Sequence, residues 1–482
     1  MSEARHKPST AVIVGLGRTG CSCAAYLRER GWRIAVTDTR LDPPGLGELA
    51  ALDPAIPMRL GGLDTALLDE AVCVVASPGV PLSDPFFEEA RRRGIEVVGD
   101  IELFALAVDA PVAGITGTNG KSTVTTLVGR MAERAGVRVR VGGNLGEPAL
   151  ALLAASQRDA RRTELYVLEL SSFQLEATRS LDLKAAALLN VTADHLDRYG
   201  SIEEYAAAKA RIFARCDTAV VNLDDPLTVA SVKPGQPTIS FSLRAEAGAD
   251  YCVAVPAGAA HGSAGAKARR GPGPCTSSAP AGSTKPEPAI WLTRRREPLL
   301  PLSALKVKGL HNAANALAAL ALGEALGLPL EPMLAALESF TGLPHRSQWV
   351  ADVRGVTYID DSKGTNVGAT IAAVKGTPGT LIMILGGDGK QQDFAPLAAA
   401  FRGKVRHAVL IGRDREALAA ALAGVTTLER CDSLEEAVRA AARAARPGET
   451  VLLSPACASL DMFRDYAHRG EVFARAVREL GV

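Results

Sequence analysis

The sequence carries almost no net charge and no long apolar segment. Its 54 basic residues balance 53 acidic residues, so charge gives no reason to expect nucleic acid or an anionic membrane as a partner. No apolar run approaches the roughly 18 residues that a membrane span needs. The first eight residues also lack the apolar stretch of a signal peptide. We therefore expect a cytoplasmic protein without nucleic-acid or membrane partners.

A disulfide or zinc framework is also missing. The eight cysteines are scattered along the chain, and Cys21 and Cys23 are separated by one residue, which is too few for a zinc-binding pair. We expect reduced thiols, as in most cytoplasmic proteins. Aromatic residues make up 4% of the chain, so Ala, Leu and Val have to fill the cores.

Short apolar runs alternate with helix-like segments along the chain, and this alternation predicts an α/β fold with parallel sheets covered by helices. The length of 482 residues suggests about three domains at ~150 residues each. The pattern restarts twice, and we place the domains at residues 1–109, 110–343 and 344–482. The predicted strands cover residues 11–15, 33–38, 72–76, 111–116, 165–169, 185–190, 219–222, 356–360, 381–385, 407–411 and 450–454.

One segment differs from the rest in composition. Residues 256–288 contain Gly, Ala, Ser, Pro and basic residues, with no Leu, Ile, Val or Phe. Such a segment cannot bury enough apolar surface to offset its ordering entropy. It is interpreted as a flexible surface insertion.

The strongest local motif is Gly-Ile-Thr-Gly-Thr-Asn-Gly-Lys-Ser-Thr at residues 114–123, between a predicted strand and a helix. A glycine-rich loop that starts a helix presents backbone N–H groups and a positive dipole end to phosphates. Lys121 would add a cation for the β- and γ-phosphates and Ser122 a hydroxyl for Mg²⁺. The strict Walker A pattern requires a glycine where this chain has Ile115, so the loop is a variant.

Two polar sites follow predicted strands of the same segment. Glu169 ends a buried strand, and the carboxyl ends of parallel strands are where ligands of open α/β sheets bind. His195 lies in the polar loop Asn-Val-Thr-Ala-Asp-His at residues 190–195. Because Mg²⁺ prefers oxygen ligands, the spacing leaves two alternatives for His195, a metal ligand or a hydrogen-bonding residue.

The N-terminal segment has the dinucleotide spacing G-x-G-x-x-G from Gly15 to Gly20, with Asp38 at the end of the next strand. This motif alone predicts NAD. However, it physically requires only a phosphate-bearing ligand at a helix N-terminus, and a UDP-sugar meets that requirement equally well. Thr39 and Arg40 add a hydroxyl and a cation that suit a nucleotide phosphate.

These motifs together resemble the Mur ligase family of ATP-dependent, peptide-bond-forming enzymes, from about residue 9 to the C-terminus. The Ser-Ser-Phe-Gln and Ala-Cys-Ala-Ser-Leu-Asp strings resemble its glutamate-adding members. The Asp-Asn-Pro-Arg motif of the diaminopimelate- and lysine-adding members is absent from the sequence. The strings that carry the resemblance lie at residues 114–123, 168–175, 194–199, 309–316, 342–346, 361–366 and 454–461.

The resemblance implies an N-terminal Rossmann-like domain, a central P-loop-type ATPase domain and a C-terminal Rossmann-like domain. The implied catalytic residues are Lys121, Glu169, His195 and Lys209. The implied metal ligands are Ser122, Glu169, His195 and, as a carbamate, Lys209. The implied ATP contacts are Gly117, Thr118, Asn119, Gly120, Lys121, Ser122, Thr123, Asn312, Asn315, Arg346 and Asp361. The implied UDP-substrate contacts are Arg18, Thr19, Asp38, Thr39, Arg40, Gly79 and Asn144.

The implied glutamate contacts are Thr365, Lys390, Ser459 and Tyr466, the last replacing the phenylalanine usual in the family. The implied substrates are UDP-N-acetylmuramoyl-L-alanine and D-glutamate, joined through an acyl phosphate in peptidoglycan precursor synthesis. ATP and two Mg²⁺ ions would be required, and a monomer is expected. The residues do not distinguish D- from L-glutamate. Two other functions stay open from the residues alone, an NAD-linked oxidoreductase and a nucleotide-sensing regulator without turnover.

Overall fold

The computed structural model describes residues 9–195, 198–255, 290–307 and 309–481. It contains three sheets, one within each of the three predicted domains. The domain boundaries themselves stay predictions. The predicted insertion at residues 256–288 lies outside the described residues. No helix in the described part of the chain combines the length and apolar character that crossing a membrane demands.

The N-terminal sheet has five parallel strands in the order β3-β2-β1-β4-β5. The chain turns from one half of the sheet to the other between β1 and β4, and ligands of doubly wound folds bind at such a switch point. The elements are β1 (Thr10–Val14), α1 (Arg18–Glu29), β2 (Arg33–Asp38), α2 (Leu46–Leu52), β3 (Met58–Leu60), β4 (Ala71–Ala76), α3 (Pro85–Arg92), β5 (Glu96–Gly99) and α4 (Asp100–Ala105).

The central sheet has nine strands in the order β14-β13-β12-β11-β10-β9-β6-β8-β7. Its elements are β6 (Val112–Thr116), α5 (Lys121–Arg134), β7 (Val139–Gly143), α6 (Ala149–Arg158), β8 (Leu165–Glu169), α7 (Ser172–Glu176), β9 (Leu183–Leu188), α8 (Ile202–Ala210), β10 (Cys216–Asn222), α9 (Pro226–Ala230), β11 (Thr238–Ser242), β12 (Tyr251–Ala254), β13 (Trp291–Arg294), β14 (Glu297–Pro301), α10 (Leu310–Ala325) and α11 (Leu330–Ser339).

The C-terminal sheet has six strands in the order β15-β16-β20-β17-β18-β19. Its elements are β15 (Gln348–Val353), β16 (Val356–Asp360), α12 (Val367–Gly376), β17 (Leu381–Gly386), α13 (Ala395–Phe401), β18 (Val405–Ile411), α14 (Arg415–Leu422), β19 (Thr427–Arg430), α15 (Leu434–Ala444), β20 (Thr450–Leu453) and α16 (Tyr466–Glu479).

The two larger sheets are not wholly parallel as predicted. The pairs β12·β13, β13·β14 and β15·β16 are antiparallel. Strands β13 and β14 are joined by two residues, Arg295 and Arg296, which both have positive φ. Strands β15 and β16 are joined by Arg354 and Gly355. Connections this short permit a hairpin, whereas a parallel pair needs a crossover of a dozen or more residues.

The hydrophobic cores join the first two predicted domains and leave the third separate. One buried cluster contains residues of the N-terminal sheet and residues of the central sheet, including Ile101, Phe104 and Tyr166. The rings of Phe104 and Tyr166 meet edge to face at 5.2 Å between centroids. The two clusters of the C-terminal sheet draw only on that sheet and its helices. The seven cysteines in the described ranges are free thiols.

Candidate active site

The loop between β6 and α5 is built to receive an anion. Gly120 caps α5 with φ of 84°, a left-handed conformation that suits glycine. A Cβ at this position would lie 2.3 Å from Asn315 Oδ1, so any side chain would collide with Asn315. Lys121 Nζ donates to the carbonyl oxygens of Gly117 and Thr118, both at 2.9 Å. Burial lowers the pKa of Lys121, while the Glu169 carboxylate acts in the opposite direction.

The predicted metal-binding oxygens lie beside this lysine. Ser122 Oγ donates to Glu169 Oε2 at 2.5 Å, and Asn144 Nδ2 donates to Glu169 Oε1 at 2.7 Å. Burial alone would raise the pKa of Glu169, but Lys121 and these two hydrogen bonds bring it below the usual value. Arg346 Nη2 donates to Ser122 Oγ at 2.7 Å, which connects the C-terminal part of the chain to the phosphate-binding loop.

Lys209 lies against the other side of the same loop. Its side chain is 1% exposed, and its Nζ donates to the carbonyl oxygen of Gly117 at 2.9 Å. The ammonium also lies 4.4 Å from the ring centroid of Tyr205. Burial, together with the nearby Lys121 ammonium, lowers the pKa of Lys209 well below its ordinary value. Two buried ammonium groups thus converge on one carbonyl, an arrangement that favours negatively charged ligands or groups.

His195 stands at the edge of this centre with φ of 55°. Its ring packs edge to face on Phe173 and Tyr205, at centroid distances of 5.0 and 6.2 Å. Its backbone N–H donates to Asp194 Oδ1. The part of the chain that the structure describes contains no group of three or more His, Cys, Asp and Glu residues able to hold a metal ion. Ser122 and Glu169 carry oxygen donors of the types that Mg²⁺ prefers.

A cleft between the central and C-terminal sheets continues from the loop, and seven predicted ATP contacts line it. Within it, Asn315 Nδ2 donates to Asn312 Oδ1 at 3.4 Å. Asp361 accepts from Ser454 Oγ, and burial raises the pKa of Asp361 to about 6. The predicted contacts along this cleft are Asn119, Gly120, Thr123, Asn312, Asn315, Arg346 and Asp361, with Gly117, Thr118, Lys121 and Ser122 in the adjoining loop.

All seven predicted UDP-substrate contacts line one cavity at the switch point of the N-terminal sheet. Its charged centre is Asp38, which accepts two hydrogen bonds from the Arg40 guanidinium and one from the Leu16 N–H. Burial alone would raise the pKa of Asp38, but these donors lower it to about 2. Because this carboxylate already holds Arg40, it is poorly placed to bind a ribose as the NAD alternative requires. The seven residues are Arg18, Thr19, Asp38, Thr39, Arg40, Gly79 and Asn144.

The predicted glutamate contacts come from four segments that meet at one end of the C-terminal sheet. Asp388 and Ala458 pair as an isolated bridge, which places the Lys390 turn beside Ser459. Lys390 has φ of 50°. Ala456 N donates to the carbonyl oxygen of Gly364, next to Thr365, and Ser362 Oγ donates to the carbonyl oxygen of Tyr466.

One lysine beside Tyr466, Lys363, was not predicted from the sequence, and it lines the cleft described above. Lys363 Nζ lies 3.8 Å from the ring centroid of Tyr466. Burial, with Arg346 close by, lowers the pKa of Lys363 to about 8. It belongs to the Asp-Ser-Lys-Gly-Thr-Asn string that supplied Asp361 and Thr365, so the motif contained the signal. Three other polar contacts at the site were also missed, His345 with Asp360, Asn366 with Asp194, and the fully buried Arg469 with the carbonyl oxygens of Ser362 and Cys457.

The fold and the site define an α/β protein with a phosphate-binding loop at the junction of three sheets. Comparison with protein families matches all three parts. The model described as Mur ligase MurD-like, N-terminal domain, covers residues 9–99, the Mur ligase middle domain covers 115–268, and the Mur ligase, glutamate ligase domain, covers 345–457. The chain belongs to the Mur ligase family.

Among curated proteins, the UDP-N-acetylmuramoylalanine–D-glutamate ligase of Nitrosococcus oceani is 50% identical over 474 residues, which cover 98% of this chain and 97% of that protein. The ligase of the same name from Methylococcus capsulatus is 45% identical, covering 98% and 95%. Two solved structures share the fold. They are UDP-N-acetylmuramate-alanine ligase MurC of Thermotoga maritima (TM-score 0.59, 18% identity, 98% and 99% coverage) and MurF ligase of the same organism in complex with ADP (TM-score 0.57, 16% identity, 98% and 96% coverage).

Proposed function

We propose that this chain joins D-glutamate to UDP-N-acetylmuramoyl-L-alanine, with cleavage of ATP to ADP and phosphate, in peptidoglycan precursor synthesis. The observation that carries the proposal is the full-length similarity to D-glutamate ligases at 45–50% identity. The geometry supports it, because the phosphate-binding loop, contacted by Lys121 and by Lys209 of α8, adjoins a cleft toward the C-terminal sheet that Arg346 and Lys363 line, while a separate cavity opens in the N-terminal sheet.

The first step in the proposed reaction is attack of an alanyl carboxylate oxygen on the γ-phosphorus of ATP, which releases ADP and forms an acyl phosphate. Lys121 would balance charge on the transferring group, since its ammonium is fixed by two carbonyl oxygens. Arg346, anchored on Ser122, would bring a second cation to the phosphates. Asn144 lines the UDP-substrate cavity and contacts Glu169, so it would hold the alanyl end at the phosphate-binding loop.

The second step is attack of the glutamate amine on the acyl carbon, followed by loss of phosphate and of the amine proton. Lys390, Thr365 and Ser459 would hold the glutamate carboxylates, with Tyr466 as an aromatic wall. Correct alignment of the two reactants lowers the activation barrier by several kcal/mol, in line with the effective molarities of well-oriented groups. Closure of the cleft would keep water from the acyl phosphate.

Mg²⁺ fits the residues present. Ser122 and Glu169 supply hydroxyl and carboxylate oxygens, His195 stands close by, and carbamylation of Lys209 would convert a poorly stabilised cation into an oxygen donor. When bound, two Mg²⁺ ions would neutralise charge on the phosphate oxygens. We further propose that the chain acts as a cytoplasmic monomer, which size-exclusion chromatography with light scattering would test.

The decisive experiment measures phosphate release from ATP and UDP-N-acetylmuramoyl-L-alanine while D-glutamate, L-glutamate, D-aspartate and meso-diaminopimelate are compared. Among the four amino acids, we expect only D-glutamate to give phosphate release, and only when the UDP substrate is present. Phosphate release that does not depend on the UDP substrate or on the amino acid would support the nucleotide-sensing alternative. An absorbance change with NAD(H) would support the oxidoreductase.

A further inference from the structure

The side chain of Asn366 connects the C-terminal sheet to the phosphate-binding loop. Asn366 is the N-cap of α12, and its Oδ1 accepts the Ala369 N–H at 2.8 Å. Its Nδ2 donates to Asp194 Oδ2 at 3.1 Å and lies 3.4 Å from Asn119 Oδ1. The residue is 5% exposed. One buried amide therefore links a helix of the C-terminal sheet to two loops of the central sheet.

The chemistry of this position demands asparagine. Ser, Thr and Asp cap helices about as well as Asn, so capping alone does not select it. Asp can accept from the helix but has no donor for Asp194, and a Ser or Thr hydroxyl would have to do both through one oxygen on a shorter side chain, whereas the amide accepts with Oδ1 and donates with Nδ2. The donated bond is charge-assisted and buried, which makes it stronger than a neutral hydrogen bond.

The start of α12 fits closely against the central loops. A Cβ at Gly368 would lie 3.3 Å from Thr192 Oγ1, which is tighter than most side-chain contacts, and 3.8 Å from Asn119 Nδ2, an ordinary contact distance. Asn119 is itself fixed, because its N–H donates to Asn190 Oδ1 and its carbonyl oxygen accepts from Asn190 Nδ2. The loop that Asn366 reaches therefore has a defined position.

The amino-acid pocket is attached to the same helix start. Thr365 directly precedes Asn366 in the chain. The Val367 N–H donates to Gln392 Oε1, and Gln392 Nε2 donates to the carbonyl oxygen of Gly389, beside Lys390. A shift of the α12 N-terminus would therefore move both predicted glutamate-binding loops relative to the phosphate-binding loop.

We propose that Asn366 is a positioning residue that aligns the amino-acid pocket with the phosphate-binding loop through Asp194 and Asn119. This inference rests on the proposed function. The amine and the acyl phosphate have to meet at near-bonding distance, so misalignment of the two loops reduces turnover. Asn366 itself need not touch a substrate.

The test compares Asn366→Ser and Asn366→Asp with Ser433→Asp, which places a carboxylate at another N-cap of the same sheet, on α15. Both Asn366 variants keep an N-cap acceptor, so circular dichroism should show that the fold is retained, although loss of the buried bond to Asp194 should lower the melting temperature. We expect kcat to fall about tenfold for Asn366→Ser and further for Asn366→Asp, because the new carboxylate faces Asp194. The KM for ATP should change little, and Ser433→Asp should keep wild-type kinetics.

A second-site exchange separates positioning from simple damage. In Asn366→Asp combined with Asp194→Asn, the amide and the carboxylate change places, and the donated hydrogen bond can form again. We expect the double variant to exceed both single variants in kcat. A double variant no better than Asn366→Asp, or an Asn366→Asp kcat equal to that of the wild type, would overturn the inference.

Small-angle scattering gives a readout that does not depend on turnover. Asn366→Asp should increase the radius of gyration, since repulsion opens the contact, and the double variant should restore the wild-type value. An unchanged radius of gyration in Asn366→Asp contradicts the inference even if the wild-type chain has no ligase activity. Failure of the proposed function would instead appear in the wild-type phosphate-release assay.

Discussion

At the scale of single residues, the shared acceptor Gly117 is the central feature of the site. Its carbonyl oxygen receives the ammonium groups of both Lys121 and Lys209, and within the described ranges no carboxylate forms an ion pair with Lys209. A buried cation in this situation is costly. Carbamylation, which replaces the ammonium by an anionic oxygen donor, would remove that cost and attract the neighbouring Lys121.

The Lys209→Ala variant tests this role. We expect loss of ligase activity and partial recovery when short carboxylic acids are added, because they can take the place of the carbamate. Phosphate release with and without acetate or formate measures the effect. Lys184→Ala is the matched control, since that lysine is exposed and paired with Asp217, and it should keep full activity without any response to the acids.

Lys121→Ala and Glu169→Ala should each lose turnover by about 10² or more while the fold survives, since electrostatic groups at a phosphoryl-transfer centre contribute on this scale. Steady-state phosphate release gives the rate, and circular dichroism checks the fold. Full activity in either variant would contradict the proposed role of that residue.

Tyr466 differs by one hydroxyl from the phenylalanine that the resemblance implies at this position. Its ring faces the Lys363 ammonium at 3.8 Å, and a phenylalanine ring would preserve that contact. We therefore expect Tyr466→Phe to keep wild-type kinetics and Tyr466→Ala to raise the KM for glutamate about tenfold, because the ring is the predicted wall of the glutamate site and also holds the Lys363 ammonium in place. Initial rates over a range of glutamate concentrations measure this. Equal effects of the two substitutions would show that the hydroxyl matters more than the ring.

At the scale of elements, the short helix α4 connects the N-terminal sheet to the central sheet through two carboxylates whose pKa values shift in opposite directions. Asp100 accepts from Gln174 Nε2, and burial raises the pKa of Asp100 to about 6. Burial alone would also raise the pKa of Glu102, but donors from Arg179 and Ser180 lower it below the usual value.

These two pKa shifts predict opposite pH dependences of stability. Between about pH 4 and 6, the folded protein holds a proton on Asp100 that the unfolded chain releases, so the stability from this group is lost as pH rises through 6. The free energy of unfolding of Asp100→Asn, relative to that of the wild type, should therefore increase by about 3 kcal/mol from pH 4 to pH 7. Urea unfolding across this range measures the gain.

Glu102→Gln serves as the control for that experiment. The pKa of Glu102 is lowered in the folded state, so its stabilisation is present above the unfolded pKa and is lost as pH falls. The variant should be less stable than the wild type at pH 7, and the difference should shrink toward acid pH. A pH-independent difference for both variants would contradict the assignment.

The elements that the sequence predicted are those with buried, uniformly apolar strands. Strands β1, β4, β8, β17 and β20 are buried almost throughout, and their runs of Val, Ile, Leu and Ala indicate this directly. Nine strands within the described residues were missed, namely β3, β5, β7, β11–β15 and β19. Among them, β3, β7 and β15 are short or half-exposed edge strands. Their residues face solvent on one side and therefore give no apolar run.

At the scale of the whole molecule, the shared core makes the first two sheets one cooperative unit. Phe104→Ala should destabilise that unit by about 3–5 kcal/mol, because it empties a site packed on Tyr166 across the junction. Phe473→Ala should destabilise the C-terminal sheet alone. Calorimetry should show two transitions, with each substitution lowering one of them. A single transition lowered equally by both would contradict this division.

The arrangement of the site could be predicted only where a motif carried it. The phosphate-binding loop, Glu169 and Asp38 follow from glycine spacing and strand ends, which are local signals. Asn366 meets Asp194 and Asn119 because two sheets pack at a particular angle, and Lys363 meets Tyr466 from a distant part of the C-terminal segment. No periodicity within one segment encodes either contact. The resemblance to a family predicted some of these site residues, but only those that lie within its motifs.

The division of the cores also bears on how such chains can recombine. Exchange of residues 344–482 between relatives breaks no hydrophobic cluster, so such chimaeras should fold and carry over the amino-acid preference of the donor. Exchange of residues 1–109 alone would cut through a shared cluster and would require α6 and α7 to travel with it. Evolution of a new amino-acid preference therefore has an easier route than evolution of a new carrier nucleotide.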